Sequence, residues 1–306
     1  MKQLGQYPPP RHAIAHLSDP HLLAGGRLQY GAVDTEAGLA RSLARLAAVD
    51  PPPQALVLTG DLTDTGEPAA YERLRAMVEP AAEAMGAVVV WVMGNHDERA
   101  PYARALFDSD DDGPQDRVYE VDGLRIVALD TSVPGYHHGD LTDGQLAWLA
   151  DVLATPAPHG TLLAMHHPPL PLPMLRGAEL IELHEQHRLA AVVEGSDVRG
   201  ILSGHLHFTT WSTFAGVPVS VASASCYTSD PAPVDRFISG VDGSQAFTMV
   251  HAYDDRLVHT VVPLVPGPEV NGLGLDIRDA LETLSVEEAV ELASSKTSPF
   301  NTGGGA

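Results

Sequence analysis

The stretch Ala87-Val88-Val89-Val90-Trp91-Val92-Met93-Gly94-Asn95-His96-Asp97 decides the fold. An unbroken apolar run, rich in valine, ends abruptly in a glycine, an amide, an imidazole and a carboxylate. Such a run reads as a strand buried on both faces. Upstream, Pro68 to Met85 reads as a helix with Leu74, Met77 and Val78 inward. Before it, Ala55 to Leu58 is a strand. Thr35 to Val49 is a helix carrying Leu39, Leu43, Leu46 and Ala47 at helical spacing, and Ala13 to Leu17 is the first strand. Strand–helix–strand order at this spacing implies parallel βαβ units. Sites in such sheets lie beyond the carboxyl ends of the strands, where the polar end of this stretch falls.

Downstream the pattern changes. Arg117 to Asp122 and Leu124 to Leu129 flank Asp122-Gly123, a hairpin signal. Leu141 to Leu153 reads as a helix with Leu146, Leu149 and Leu153 on one face. Thr161 to Met165 and Val198 to Leu202 are strands, separated by a helical segment from Ala178 to Val193. Two more hairpins follow: Phe208 to Val221, turning at Ala215-Gly216, and Ala246 to Leu264, turning near Asp254-Asp255. Two mixed sheets packed face to face with helices outside, a four-layer α-β-β-α sandwich, would use all of these elements.

This reading divides the chain into a flexible segment 1–12, a catalytic domain 13–265 and a C-terminal extension 266–306. In the extension, Asp276 to Ser294 is helical, with a break expected at Ser285, where Ser285-Val286-Glu287-Glu288 has the capping-box pattern. The Gly-rich end beyond it reads as disordered. The 306 residues carry a formal net charge of −22, which argues against binding a nucleic-acid polymer through its phosphates. No apolar run reaches the roughly 20 residues of a membrane span, and the Pro-rich start lacks the apolar stretch of a secretory signal. One cysteine, Cys226, excludes an internal disulfide framework and reads as a buried apolar residue. The expected compartment is the cytoplasm, with the envelope as a peripheral alternative for the tail helix. The tail's Glu282, Glu287, Glu288 and Glu291 argue against anionic lipid.

Five motifs share the arrangement of the opening stretch: Asp19-Pro20-His21, Gly60-Asp61, Gly94-Asn95-His96-Asp97, His166-His167-Pro168 and Gly204-His205-Leu206-His207. Each follows an apolar run. Singly, each has an ordinary structural reading as a turn, a cap or a core histidine. Five in succession at strand ends point to one site for two hard-to-borderline metal ions. His166 and His167 are equal candidates on chemistry. His137-His138 reads as an exposed loop pair, or as a lid or dimer contact near the site. His12, His159, His184, His187, His251 and His259 fit no ligand spacing.

Together the motifs resemble, in order, the signature of the calcineurin-like metallophosphoesterases. The stretches His16 to Asp19, Tyr30 to Asp34, Gly60 to Tyr71, Trp91 to Asp97, Leu129 to Gly135 and Pro218 to Tyr227 resemble its class III cyclic-nucleotide branch, above all the actinobacterial 3′,5′-cyclic-AMP enzymes. The resemblance implies that Asp19, His21, Asp61 and His207 hold one metal, and Asp61, Asn95, His166 and His205 the other. It favours His166 over His167. Asp61 would bridge, one oxygen to each ion. His96 would stand outside the metal shell as the catalytic group, and His21, Asp61, Asn95, His96 and His207 would contact substrate. Asp64 would support the ligands, and Asp97 would be structural, orienting His96.

The implied cofactors are two divalent or trivalent ions, iron with manganese first, zinc or cobalt as alternatives. The implied reaction converts 3′,5′-cyclic nucleotides to 5′-monophosphates by metal-hydroxide attack on phosphorus, with His96 stabilising the phosphoryl charge or protonating the leaving oxygen. The implied assembly is a homodimer. The alternative substrates are 2′,3′-cyclic nucleotides or another phosphodiester. A non-catalytic binding protein on the same scaffold is disfavoured by the intact ligand set and His96.

Overall fold

A computed structural model describes residues 3–270 and 272–298. Residues 11–265 form one compact unit; the described residues 3–10 and 266–298 form a second.

In the first unit, five strands make one sheet in the order Leu257–Pro263, Ala246–Ala252, His12–Leu17, Ala55–Thr59, Val88–Val92. The last three run parallel, and Ala246–Ala252 is antiparallel to both its neighbours. Six strands make the other sheet, in the order Thr210–Phe214, Val217–Val221, Val198–Ser203, Thr161–Met165, Leu124–Leu129, Arg117–Val121. Its four inner strands are parallel and its two edges antiparallel.

Alternation along the strands builds three apolar layers. Leu56 and Leu58 face the helices Thr35–Leu46 and Pro68–Met85, where they meet Leu39, Leu43, Leu74 and Val78. Their neighbours Ala55 and Val57 face the other way, into a layer with Ile126, Ala128, Leu162 and Leu202 of the second sheet. Leu163 and Met165 turn outward again, towards Leu149 and Leu189 of the helices Asp143–Leu153 and Gln186–Val193. Each fully buried Leu or Val contributes roughly 1.5–3 kcal/mol, so central strands such as His12–Leu17, Ala55–Thr59, Leu124–Leu129 and Thr161–Met165 are held from both sides. This is the expected α-β-β-α arrangement.

Register sets the site. Leu17 lies opposite Leu58, and Leu58 opposite Trp91. In the other sheet Leu129 lies opposite Met165, and Ala164 opposite Leu202. The parallel strands therefore end level, and the motif after each emerges at one edge.

Several elements differ from the sequence reading. The segment expected to be helical from Ala178 to Val193 is a 3-10 turn, Ala178–Ile181, followed by the helix Gln186–Val193. Between them the backbone pairs sideways: Gly139 N donates to Glu182 O at 3.1 Å and His184 N to Gly139 O at 2.8 Å. Glu185 turns the chain at a left-handed φ of 48°. The helix after Leu141 begins at Asp143, because Thr142 and Gln145 form a capping box. Arg99–Phe107 is an additional helix. Tyr136–Gly139, read as loop, pairs with Ser132–Val133.

In the second unit the tail forms two helices, Leu275–Thr283 and Val286–Ser294, the latter capped reciprocally by Ser285 and Glu288. The expectation for the Gly-rich end from residue 299 onward lies outside the described residues.

Candidate metal centre

The five motifs converge. Asp61 Oδ2 lies 3.3 Å from His21 Nε2 and 3.4 Å from His166 Nε2. On the His21 side, His207 Nε2 is 3.2 Å from His21 Nε2 and 3.4 Å from Asp19 Oδ1. On the His166 side, Asn95 Oδ1 is 3.0 Å and His205 Nδ1 3.3 Å from His166 Nε2. Asp61 thus stands between two donor groups, but not as expected. One oxygen faces both groups, while Oδ1 accepts the His96 backbone N–H at 2.8 Å.

The four imidazoles share one design. Each turns one nitrogen outward to an oxygen: His21 Nδ1 to Asp64 Oδ1 (2.9 Å), His166 Nδ1 to Thr59 O (2.7 Å), His205 Nε2 to Ile181 O (2.9 Å) and His207 Nδ1 to Tyr227 O (3.0 Å). A nitrogen that donates to oxygen leaves the other to ligate whenever the ring is neutral, and in all four it is that second nitrogen that faces the cluster. This is how ligating histidines are held. His167 is held differently. Its Nδ1 meets Thr131 Oγ1 at 2.8 Å and its Nε2 meets His137 O at 3.1 Å, so both nitrogens are engaged elsewhere.

The backbone is bent to aim these groups. Asp19, His21, Asp61, His205 and His207 all adopt positive φ, from 45° to 73°. Left-handed backbone costs an L-residue roughly 1–2 kcal/mol, and clustered outliers of this kind mark functional sites. Glycine makes the close approach possible. Gly60 has φ of 91°, and a Cβ there would lie 2.5 Å from His166 Nδ1. A Cβ at Gly94 would overlap the Asp61 amide nitrogen.

Asp97 does not orient His96. It accepts from the backbone N–H of Leu62, Thr63 and Gly94 and from Tyr71 OH at 2.8 Å. It ties the Gly60 and Gly94 loops together. His96 is positioned instead by Asp64, whose carbonyl lies 2.9 Å from its Nδ1. The short strand Tyr136–Gly139 brings His137 Nδ1 to 2.8 Å from Asn95 Nδ2, and its ring to 5.1 Å from that of His96. His138 points away and stacks on His184 at 4.2 Å. His12 pairs with His159 at 2.8 Å and His16 with Thr59 Oγ1 at 2.9 Å, outside the cluster.

Electrostatics favour cations. Burial, then the neighbouring His166, pushes His205 down to about 3; burial pushes His207 down to about 4. Both are neutral, the ligating form. For His166 burial works against the charge, but Asp61 and Asp19 outweigh it and carry the pKa up to about 9. Burial likewise opposes ionisation of Asp61, yet His166 and His21 hold it well below the carboxylate range. The buried carboxylates demand positive charge, and a bound cation would displace the His166 proton. Mixed carboxylate, amide and imidazole donors fit two hard-to-borderline cations. A cavity of about 290 Å³ opens on the cluster, lined also by His96, His137 and Tyr227.

A family profile described as calcineurin-like phosphoesterase matches residues 12–208. A protein of Mycobacterium tuberculosis named cAMP/cGMP dual specificity phosphodiesterase is 52% identical over 266 residues, 87% of this chain and 83% of that one. A Rhodococcus erythropolis protein named probable cyclic nucleotide phosphodiesterase is 52% identical over 260 residues, 85% and 86% of the two chains. Among solved structures, a purple acid phosphatase from yellow lupin seeds superposes with a TM-score of 0.58 at 14% identity, over 83% of this chain and 51% of the lupin chain. This chain spans about half the length of the lupin protein, and at that identity the likeness concerns the fold alone.

Proposed function

The chain belongs to the calcineurin-like phosphoesterase family, and from that premise we propose that it hydrolyses 3′,5′-cyclic nucleotides, cyclic AMP first, to 5′-monophosphates. The observation that carries the reading is the set of four imidazole nitrogens, two carboxylates and one amide oxygen gathered in a single cluster beneath one cavity. The 52% identity to a protein named for both cyclic nucleotides supports the substrate.

In this reading the catalytic domain is 13–265. Asp19, His21, Asp61 and His207 hold one cation; Asp61, Asn95, His166 and His205 hold the other. Iron with manganese suits the mixed nitrogen and oxygen donors, with zinc or cobalt as alternatives. When bound, the two ions draw charge from the phosphate oxygens and acidify a water for attack.

The protein's own groups supply the rest. His96 is the catalytic residue. With its Nδ1 donating to Asp64 O, its Nε2 carries a proton only as imidazolium, and that proton serves the O3′ leaving group as the O3′–P bond breaks. Substrate also meets His21, Asp61, Asn95 and His207, which line the cavity. Asp64 and the Thr59, Ile181 and Tyr227 carbonyls hold the imidazoles in one tautomer. Donors that address phosphate would also accept 2′,3′-cyclic nucleotides or another phosphodiester, which is the alternative.

A homodimer in the cytoplasm belongs to the same reading. A single, buried, unpaired cysteine supports the reducing compartment. No helix among the described residues is long and apolar enough to cross a membrane. The test compares rates on 3′,5′-cyclic AMP, 2′,3′-cyclic AMP and a generic aryl phosphodiester, with bound metals quantified. The expected result is two metals per chain and 3′,5′-cyclic AMP as the best substrate. If it is much the poorest of the three, the reading fails.

A further inference from the structure

The cavity over the candidate metal centre is not polar throughout. Leu175, Ala178 and Ile181 reach it from the segment that follows His166-His167-Pro168, and Ile238 reaches it from the loop before Gly240–Val241. These two segments close on each other. A Cβ at Gly177 would sit 2.6 Å from Ile238 Cδ1 and 3.2 Å from a ring carbon of Phe237. The absence of a side chain at Gly177 is what lets the Ile238 loop come so near.

The wall is also registered to the donors. The Ile181 carbonyl that holds His205 Nε2 at 2.9 Å belongs to a residue whose side chain lines the cavity. Whatever rests on the wall is therefore held at a set distance from the phosphate-binding floor. Ile238, which lines the cavity, is 53% exposed, and its chain neighbour Phe237 is 68% exposed. Large apolar side chains left open beside a polar site mark a place where an apolar group is received.

The chemistry of the lining selects among phosphodiesters. Among the described residues it holds no Lys, Arg or Glu, and apart from the donor cluster, His96 and His137 its polar groups are Tyr227 and Ser229. A glycerol or choline head group would find few partners there. A flat, weakly hydrated ring would find several aliphatic ones.

We propose that Leu175, Ala178, Ile181 and Ile238 form the base-holding wall of the site, gripping the purine of a cyclic nucleotide by its face rather than reading its edge. The proposal rests on the cyclic-nucleotide reading above. It gives a specificity role to two segments outside all five motifs, and it implies little discrimination between adenine and guanine.

The experiment compares 3′,5′-cyclic AMP with methyl riboside 3′,5′-cyclic phosphate, which keeps the cyclic phosphate and lacks the base. Wild type should prefer cyclic AMP, mainly through KM. In Ile238→Ser, and independently in Ile181→Ser, the ratio of kcat/KM for cyclic AMP over the abasic compound should fall about tenfold, the scale of one apolar contact in a pocket. Cyclic GMP should fall in parallel. Ile238 is more than half exposed, so its variant tests the wall without a core substitution. A ratio unchanged within twofold in both variants, or a wild type that takes both cyclic compounds equally, would overturn the wall and leave the cyclic-nucleotide reading standing. A wild type that cleaves an aryl phosphodiester but neither cyclic compound would overturn that reading, and the wall with it.

Discussion

The side-chain amide of Asn95 points its nitrogen at His137, with Nδ2 and Nδ1 2.8 Å apart. An amide NH₂ only donates, so Nδ1 of His137 accepts, and the neutral ring carries its proton on Nε2. The other half of the amide, Oδ1, faces His166 Nε2 at 3.0 Å. His137 therefore decides which way the amide faces. Without that acceptor, the flipped amide would turn an N–H towards the cluster. The expected result is that His137→Ala lowers kcat roughly tenfold, the worth of one such hydrogen bond, and weakens binding of one metal ion. His137→Asn, which restores an acceptor, should recover part of both. Asn95→Ala should cost orders of magnitude in rate while the circular dichroism spectrum is kept; full activity in that variant would remove Asn95 from the site.

His96 makes a different prediction, because its ring packs edge-on against His21 at 4.7 Å without turning a nitrogen into the donor cluster. Its Nδ1 is taken by Asp64 O. His96→Ala should reduce kcat by about 10²–10⁴, the range for a general acid, while metal content measured by mass spectrometry stays at the wild-type level. Metal loss in proportion to the loss of rate would place His96 among the ligands instead.

The pattern of legible and hidden features follows from range. Val88–Val92 reads as a strand because both its faces are covered, so its sequence is continuously apolar. The motifs announce themselves because each ends an apolar run abruptly in carboxylate, amide or imidazole, three of them at a glycine, Gly60, Gly94 and Gly204. The helix Arg99–Phe107 stays hidden because Pro101 and scattered polar residues blur its period; only Tyr102, Ala103 and Leu106 are buried. The place of His137 is set by a two-residue ladder with Ser132–Val133 and by contact with Asn95, forty-two positions away. The Ile181 carbonyl is a backbone group, which no side-chain pattern encodes.

Stability away from the site rests in part on Arg125. Its guanidinium forks onto Asp197 at 2.9 and 3.1 Å, donates to Thr161 Oγ1 and to the Val152 and Thr155 carbonyls, and is largely buried. The pair sits where the strands Leu124–Leu129 and Thr161–Met165 begin, at the edge opposite the motifs. Asp197→Ala leaves a buried cation unpaired, which costs about 3–5 kcal/mol. Urea denaturation should show that loss, while kcat/KM of the folded protein stays near wild type. The double variant Arg125→Met, Asp197→Leu should be less damaged than the single one. Equal damage would mean the pair's attraction, and not the unpaired charge, carries the energy.

His16 ties stability to pH. It lies fully buried between the sheets, Nε2 against Thr59 Oγ1, and burial with the nearby His259 pushes its pKa down to about 3. Unfolded, it would titrate near 6.5. The unfolded chain therefore binds the proton that the folded chain refuses. Its contribution is fully present above pH 6.5 and is lost as pH falls from there towards 3. Well inside that window the slope approaches about 1.4 kcal/mol per pH unit. His16→Gln cannot titrate and should lack this slope, whatever its stability at pH 7. Urea denaturation of chelator-treated protein at pH 7, 6 and 5 isolates the effect, since the other histidines titrate alike in both proteins. Between pH 6 and 5 the wild type should lose about 1.2 kcal/mol more than the variant, a little under one proton's worth because the unfolded imidazole is already partly protonated at pH 6. A parallel decline in the two would mean that His16 takes up its proton without unfolding, and that the layer between the sheets admits charge.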